Sequence, residues 1–296
     1  MKLKSRSGRG PGSVVVQIGS VIIDMPAGTG EPHPFSSPDE SRIPTRIPSI
    51  QGLDLAAGAM LAAPFEPVLP GGEFLDVFKL KGGFGLALGA VAGRGHETVA
   101  LAKVAKYTLR AEAFRNSASD GLASSVDSTI FNAGAALFQS LRRESSLSLL
   151  YGHYEPEWRC LTFCNCSPWP PALIRHGRVS FLEERHPRLG EHLHREYPPT
   201  RLTLSPGDVF VAYTDGLPEA RQARSFLGLD PIRRVLQEHA GESAVKLAQH
   251  LLGLPRSFCG DASPAEDALV LVARLKEGNG RQNWDDSRNP IEPARS

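Results

Sequence analysis

The sequence predicts an α+β domain in which antiparallel sheets, built from hairpins, carry helices on their outer sides. Three observations lead there. Apolar residues alternate with a period of two in several short segments joined by turn residues. A pair of helical stripes, with apolar residues three or four apart, interrupts those segments. Strict strand–helix alternation, the mark of a doubly wound parallel sheet, is absent.

At the N-terminus, Lys2, Lys4, Arg6 and Arg9 precede an apolar run from Val14 to Met25. Gln17, Gly19, Ser20 and Asp24 interrupt that run, and it is shorter than the ~20 apolar residues of a membrane helix. Residues 1–46 are therefore expected to be a flexible basic segment, rich in Pro, Gly and Ser, with at most one short strand. The folded domain is expected over 47–275, with a disordered polar tail at 276–296.

Within the domain, Val77–Leu80 and Phe84–Val91 flank the turn Lys81-Gly82-Gly83 and predict a first hairpin. One helix follows from Val99, Ala102, Ala105 and Leu109. A second starts at Ser119 or Asp120 as N-cap and carries Leu122, Val126, Ile130, Ala133, Leu137 and Leu141. Further hairpins are expected from Leu147–Tyr154 with Trp158–Asn165, and from Ala172–Ile174 with Val179–Leu182. A fourth pairs Thr200–Leu204 with Val209–Tyr213 around Pro206-Gly207-Asp208. Short helices near Pro231–His239 and Ser243–Leu252 precede a last strand at Ala268–Leu275.

Composition narrows the function. The chain has 296 residues, 33 Lys and Arg against 32 Asp and Glu, and a net charge of +1, which argues against a nucleic-acid partner. Hydrophobic residues make up 41%, enough for a packed core. Four cysteines are too few for a disulfide scaffold and point to a reducing, cytoplasmic setting.

Gly83-Phe84-Gly85 with Gly89 lies inside a strand, so it is not a dinucleotide loop, and Gly93-Arg94-Gly95 lacks the ending of a phosphate-binding loop. Cys160, Cys164 and Cys166 share one face of a strand. A thiolate site with Cys259 is conceivable, but one extended strand cannot wrap an ion, and small buried cysteines are the better reading. His186, His192 and His194 read as solvated loop residues. What remains is acids at strand ends: Glu73 and Asp76 before the first hairpin, Asp215 and Glu219 after an apolar strand, and Glu266-Asp267 before the last one. Singly these are turn residues; converging, their oxygens suit Mg²⁺ or Mn²⁺.

In order and spacing, these segments resemble the SpoIIE-type branch of the metal-dependent serine/threonine protein phosphatases, the PPM family. Pro70-Gly71-Gly72-Glu73-Phe74-Leu75-Asp76 is similar to the family's Gly-Gly-Asp-x-x-Asp, and Leu88-Gly89-Ala90-Val91-Ala92-Gly93-Arg94-Gly95 to its Gly-Asp-Val-Ser-Gly-Lys/Arg-Gly. Thr214-Asp215-Gly216-Leu217-Pro218-Glu219-Ala220 is similar to Thr-Asp-Gly-x-x-Glu-Ala, and Glu266-Asp267-Ala268-Leu269 stands where the family has Asp-Asp-x-Thr. The resemblance implies a layered α/β/β/α sandwich of two antiparallel sheets. It also implies two Mn²⁺ or Mg²⁺ ions activating a water that attacks phosphoserine or phosphothreonine. Metal ligands would be Glu73, Asp215 and Glu266 or Asp267, with no catalytic residue independent of the metals.

Ala90 departs from that pattern at the family's bridging aspartate, where a methyl group cannot bind an ion. Glu73 and Glu266 each replace Asp, Leu269 replaces Thr, and Asn165-Cys166-Ser167-Pro168-Trp169-Pro170-Pro171 lacks the family's His. One metal or none is therefore an open outcome. The expected function is a SpoIIE-type phosphatase domain of sigma-factor signalling with turnover impaired by Ala90. The alternative is a pseudophosphatase that binds its partner without hydrolysis; a purely structural subunit is a weaker reading. The implied partner is a signalling protein of the anti-anti-sigma type, phosphorylated or not, with no membrane span. A homodimer is left open.

Overall fold

Most of these hairpins form, but they are dealt out between two sheets. The computed structural model describes residues 50, 52–60, 71–117, 122–138, 140, 145–191, 196–260, 264 and 266–276, together with strands Lys4–Arg6 (β1), Ser13–Ile18 (β2) and Val21–Pro26 (β3). Ser119, Asp120, Leu141, His192, His194 and the tail beyond 276 lie outside the described residues.

The smaller sheet has five strands: Gly71–Leu80 (β5), Gly83–Arg94 (β6), Leu147–Glu155 (β7), Cys160–Cys166 (β8) and Thr200–Thr203 (β11), in the order β11-β8-β7-β6-β5. The larger adds Leu53–Met60 (β4), Ala172–Arg175 (β9), Arg178–Phe181 (β10), Val209–Tyr213 (β12) and Ala268–Leu275 (β15) to the N-terminal strands, in the order β1-β2-β3-β4-β15-β12-β9-β10. A small ribbon pairs Arg221–Gln222 (β13) with Ser225–Phe226 (β14). Helices His96–Asn116 (α1) and Leu122–Leu137 (α2) cover one sheet; Leu229–Glu238 (α3) and Ala244–Cys259 (α4) cover the other.

Alternation along the strands produces these layers. On β12, Phe210 and Ala212 face the core between the sheets, while Val209, Val211 and Tyr213 face α3 and α4. On β5, Leu75 and Val77 enter the inter-sheet core, and Phe74 and Phe78 pack beneath α1 with Leu109 and Ala113. The result is the expected α/β/β/α sandwich.

Two local expectations are corrected. The first 46 residues contain three strands rather than at most one, and β3 joins β4 in a parallel pairing that lengthens the large sheet. The β-branched runs Val14–Val16 and Val21–Ile23 favour extended backbone there. The fourth hairpin does not form. Its turn exists, with Asp208 N donating to Ser205 O (2.9 Å), but β11 pairs with β8 and β12 with β9 and β15. Burial explains the divergence. β11 is an alternately exposed strand at a sheet edge, whereas β12 is buried on both faces. Asp208 anchors this crossing by accepting from Ser205 N (2.8 Å) and pairing with Arg175 (2.6 Å).

The cysteines are all buried and free. Cys164 and Cys166 pack under α1 and α2, whereas Cys259 packs between α4 and the large sheet, so both sheets separate them. His186 is half-buried and meets Pro198 O at 3.0 Å.

Candidate functional site

One rung of the smaller sheet floors the site. Glu73 on β5 lies opposite Ala90 on β6, and Ala90 lies opposite Ser148 on β7. All three share the face that sends Leu75, Leu88 and Leu150 toward the other sheet. Beside Ala90 is a cavity of about 10 Å³, lined also by Ser148, Asn165 and Thr214, about the room one water needs.

The other wall begins where β12 ends. Thr214 N donates to Leu269 O (3.0 Å), and Leu269 N donates to Thr214 Oγ1 (2.9 Å). Gly216 then rests against the next segment so closely that a Cβ there would sit 1.9 Å from the Asp267 carbonyl oxygen. These contacts bring the Asp215 loop and Glu266-Asp267 together. Asp267 is buried, while Glu266 lies at the exposed rim.

Asp215 is engaged by two donors. Its Oδ2 accepts from Ser148 Oγ (3.1 Å) and from Arg188 Nη2 (3.2 Å), and Arg188 Nε donates to Ser148 Oγ (2.9 Å). The guanidinium is fixed there because Leu189 and Leu147 exchange backbone hydrogen bonds of 2.9 and 3.0 Å, which docks the 188–189 segment beside the start of β7. Glu219, one turn past Asp215, accepts from the Trp169 indole (2.8 Å). Asn165 and Tyr213 hold that indole's segment through Trp169 O (3.0 Å) and Pro170 O (2.7 Å).

The Glu73 carboxylate folds back along its own strand. A Cβ on Gly71 would meet its Oε2 at 2.3 Å, so the glycine makes room for it. Asp76 faces the opposite side of β5 and is held by Arg110 of α1. At the rim, desolvation and then the charges of Asp215 and Glu219 push the Glu266 carboxyl above the usual range, with Arg94 and Arg221 opposing.

The structure thus gathers Asp215, Glu266 and Asp267 at one end of the cleft and sets Glu73 two strands away across Ala90. Carboxylates of this kind are ligands for hard cations. The donor set nevertheless does not fit the two-ion centre that the resemblance implies. A methyl occupies the middle of the rung, Glu73 leans toward Gly71, and a guanidinium already neutralises Asp215. Ser148 and Arg188 were not foreseen from the sequence. Arg188 falls in a loop rich in Pro, Gly and Arg, and only the pairing of Leu189 with Leu147 reveals its place.

A family profile for Stage II sporulation protein E (SpoIIE) matches residues 81–276. Phosphoserine phosphatase RsbU of Bacillus subtilis is 21% identical over 212 residues, covering 70% of this chain and 59% of RsbU. The chain therefore spans less than two thirds of that relative. Among solved structures, the RsbU and RsbW domains of a Mycobacterium tuberculosis protein align with a TM-score of 0.64 at 21% identity, over 78% of this chain and 63% of that one. The phosphatase domain and a regulatory-domain fragment of SpoIIE from Bacillus subtilis align at 0.62 and 16% identity, over 77% and 65%. The catalytic domain of the phosphatase PstP, which holds 2 manganese ions, aligns at 0.55 and 17% identity, over 76% and 99%. At these identities the solved structures establish the fold. No described helix is long and apolar enough to cross a membrane.

Proposed function

This chain belongs to the Stage II sporulation protein E (SpoIIE) family, and we propose that it is a SpoIIE-type PPM domain of sigma-factor-type signalling whose phosphatase turnover is impaired. In that reading the cleft is built for phosphoserine or phosphothreonine on a partner protein of the anti-anti-sigma type, in the cytoplasm. Any Mn²⁺ or Mg²⁺ it holds is bound by Asp215 with Glu266 or Asp267, and by Glu73 if that side chain swings away from Gly71. The observation that carries the proposal is the rung Glu73–Ala90–Ser148, in which the central position offers no oxygen.

One further observation favours a pseudophosphatase, a domain that binds its partner without hydrolysis. The Arg188 guanidinium bonds both Asp215 and Ser148, supplying a fixed positive charge where a carboxylate would otherwise seek a cation.

The test is phosphate release from a phosphoserine protein in excess Mn²⁺. Wild type is expected to be slow. Ala90→Asp, alone or with Glu73→Asp, is expected to raise the rate, and Asp215→Asn to abolish the gain. Vigorous Mn²⁺-dependent turnover by wild type, lost in Asp215→Asn, overturns the proposal. A slow wild type that Ala90→Asp does not improve, but that still binds the partner protein, favours the pseudophosphatase.

A further inference from the structure

We propose that His239, Glu242 and His250 form a metal site of the zinc class, outside the phosphatase cleft and at the opposite end of the large sheet. One ligand atom from each of the three residues lies within 4.8 Å of the others. His239 Nδ1 is 3.1 Å from Glu242 Oε1, and His250 Nε2 is 3.4 Å from Glu242 Oε2. A tetrahedral zinc with bonds of about 2.0–2.1 Å spaces its donors about 3.3 Å apart, so donor atoms that already lie within 4.8 Å of one another need only a modest side-chain adjustment to close on an ion.

The loop that carries these residues is held from several sides. His239 ends α3, its N–H donating to Val235 O (3.0 Å), and Glu242 N donates back to His239 O (3.0 Å). Ser243 caps α4, and Asp54 accepts from Ala244 N (2.9 Å). Arg274 on β15 donates to the carbonyls of Ala240 and Glu242. Arg274 is six residues along the strand from Ala268 beside the cleft, about 20 Å at strand rise.

Chemistry selects the ion. The two imidazoles stack with centroids 3.6 Å apart and planes 10° apart. Glu242 Oε2 is shielded and accepts no hydrogen bond from the described residues; what it faces is His250 Nε2 at 3.4 Å. Two nitrogens and one carboxylate suit Zn²⁺ over the all-oxygen preference of Mg²⁺ and Mn²⁺. Stacked planes cannot aim both lone pairs at one point, so binding turns one ring about its side-chain torsions. The side chains are 26% and 41% exposed, which leaves space for that turn. Three protein ligands leave the fourth position to water, and the ion ties the end of α3 to α4.

The test is a calorimetric titration of the full chain with ZnCl₂, repeated with His239→Ala, His250→Ala and the cleft variant Asp215→Asn, with metal-free melting curves to check folding. Co²⁺ replaces Zn²⁺ in a parallel experiment, because tetrahedral Co²⁺ absorbs visible light. The expected result is one saturable Zn²⁺ that is weakened more than about tenfold in each histidine variant and retained in Asp215→Asn. Zinc should also raise the melting temperature of wild type and not that of His250→Ala. Absence of saturable binding, or binding unchanged in both histidine variants, overturns the site.

Discussion

Replacing Arg188 with alanine should make this protein bind Mn²⁺ more tightly while making the metal-free fold weaker. The guanidinium gives Asp215 one contact at 3.2 Å and Ser148 one at 2.9 Å. A charge-assisted bond is worth about 1.5–3 kcal/mol where water is excluded. The Arg188 side chain is 31% exposed and its contact to Asp215 is long, which brings the value to about 1 kcal/mol after solvent screening. A divalent cation that takes Asp215 in wild type must first displace that contact. Arg188→Ala should therefore lower the Mn²⁺ dissociation constant about five- to tenfold, and Asp215→Asn in the same background should remove the gain. Without metal, the lost contacts should reduce the melting temperature by about 2–4 °C for each kcal/mol in a domain of this size. Calorimetric titration and melting curves on the same samples read both effects. Unchanged or weaker Mn²⁺ binding by Arg188→Ala refutes the reasoning, because the arginine would then be positioning Asp215 rather than competing for it.

Gly216→Ala tests the clasp between the Asp215 loop and residue 267. The new methyl would stand 1.9 Å from a backbone oxygen, which cannot swing aside as a side chain can, so a loss of about 1–3 kcal/mol in urea denaturation is expected. A variant as stable as wild type means that the segments are not held together there. His153 on β7 predicts a pH dependence of stability. It is 1% exposed, neither ring nitrogen has a hydrogen-bond partner among the described residues, and burial lowers its pKa. The unfolded chain protonates this imidazole below pH ~6.5 while the folded chain resists. Stability should therefore fall as the pH drops from there, by at most about 1.4 kcal/mol per unit, until the folded imidazole itself takes a proton. Denaturation at about pH 7.5 and about pH 5.5 should show this component in wild type and not in His153→Leu; an equal acid response in both removes His153 as its source.

Much of the fold was readable because strand alternation and helix spacing are local signals. Phe84, Leu86 and Leu88 announced β6, and Val126, Ile130 and Ala133 announced α2. The sheet to which each strand belongs is not local. Pro206-Gly207-Asp208 looks like a hairpin turn, and only the two-sided burial of β12 against the edge position of β11 separates the strands. The site divides the same way. Asp215 and the Glu266-Asp267 pair stood out in contiguous motifs. Arg188 and Ser148 reach Asp215 from 27 and 67 residues away, through a backbone pairing that no motif encodes. His239 and Glu242 lie in the loop that follows α3 and His250 lies in α4, so their convergence depends on how α3 and α4 pack.

The crossing at Asp208 has a consequence for how the domain can come apart. The chain passes between the sheets after β4, after β8, after β10 and again after β11, so neither half of the sandwich is a continuous stretch of sequence. The large sheet closes only when β15 slots between β4 and β12, joining the last core strand to the first. Such pairings must close long loops before they gain contacts, which favours slow folding. The molecule has no severable half: a fragment ending before Ala268 would expose the flanks of both β4 and β12. The cleft that holds Asp215, seated where those strands meet the other sheet, can therefore exist only once the whole domain is complete.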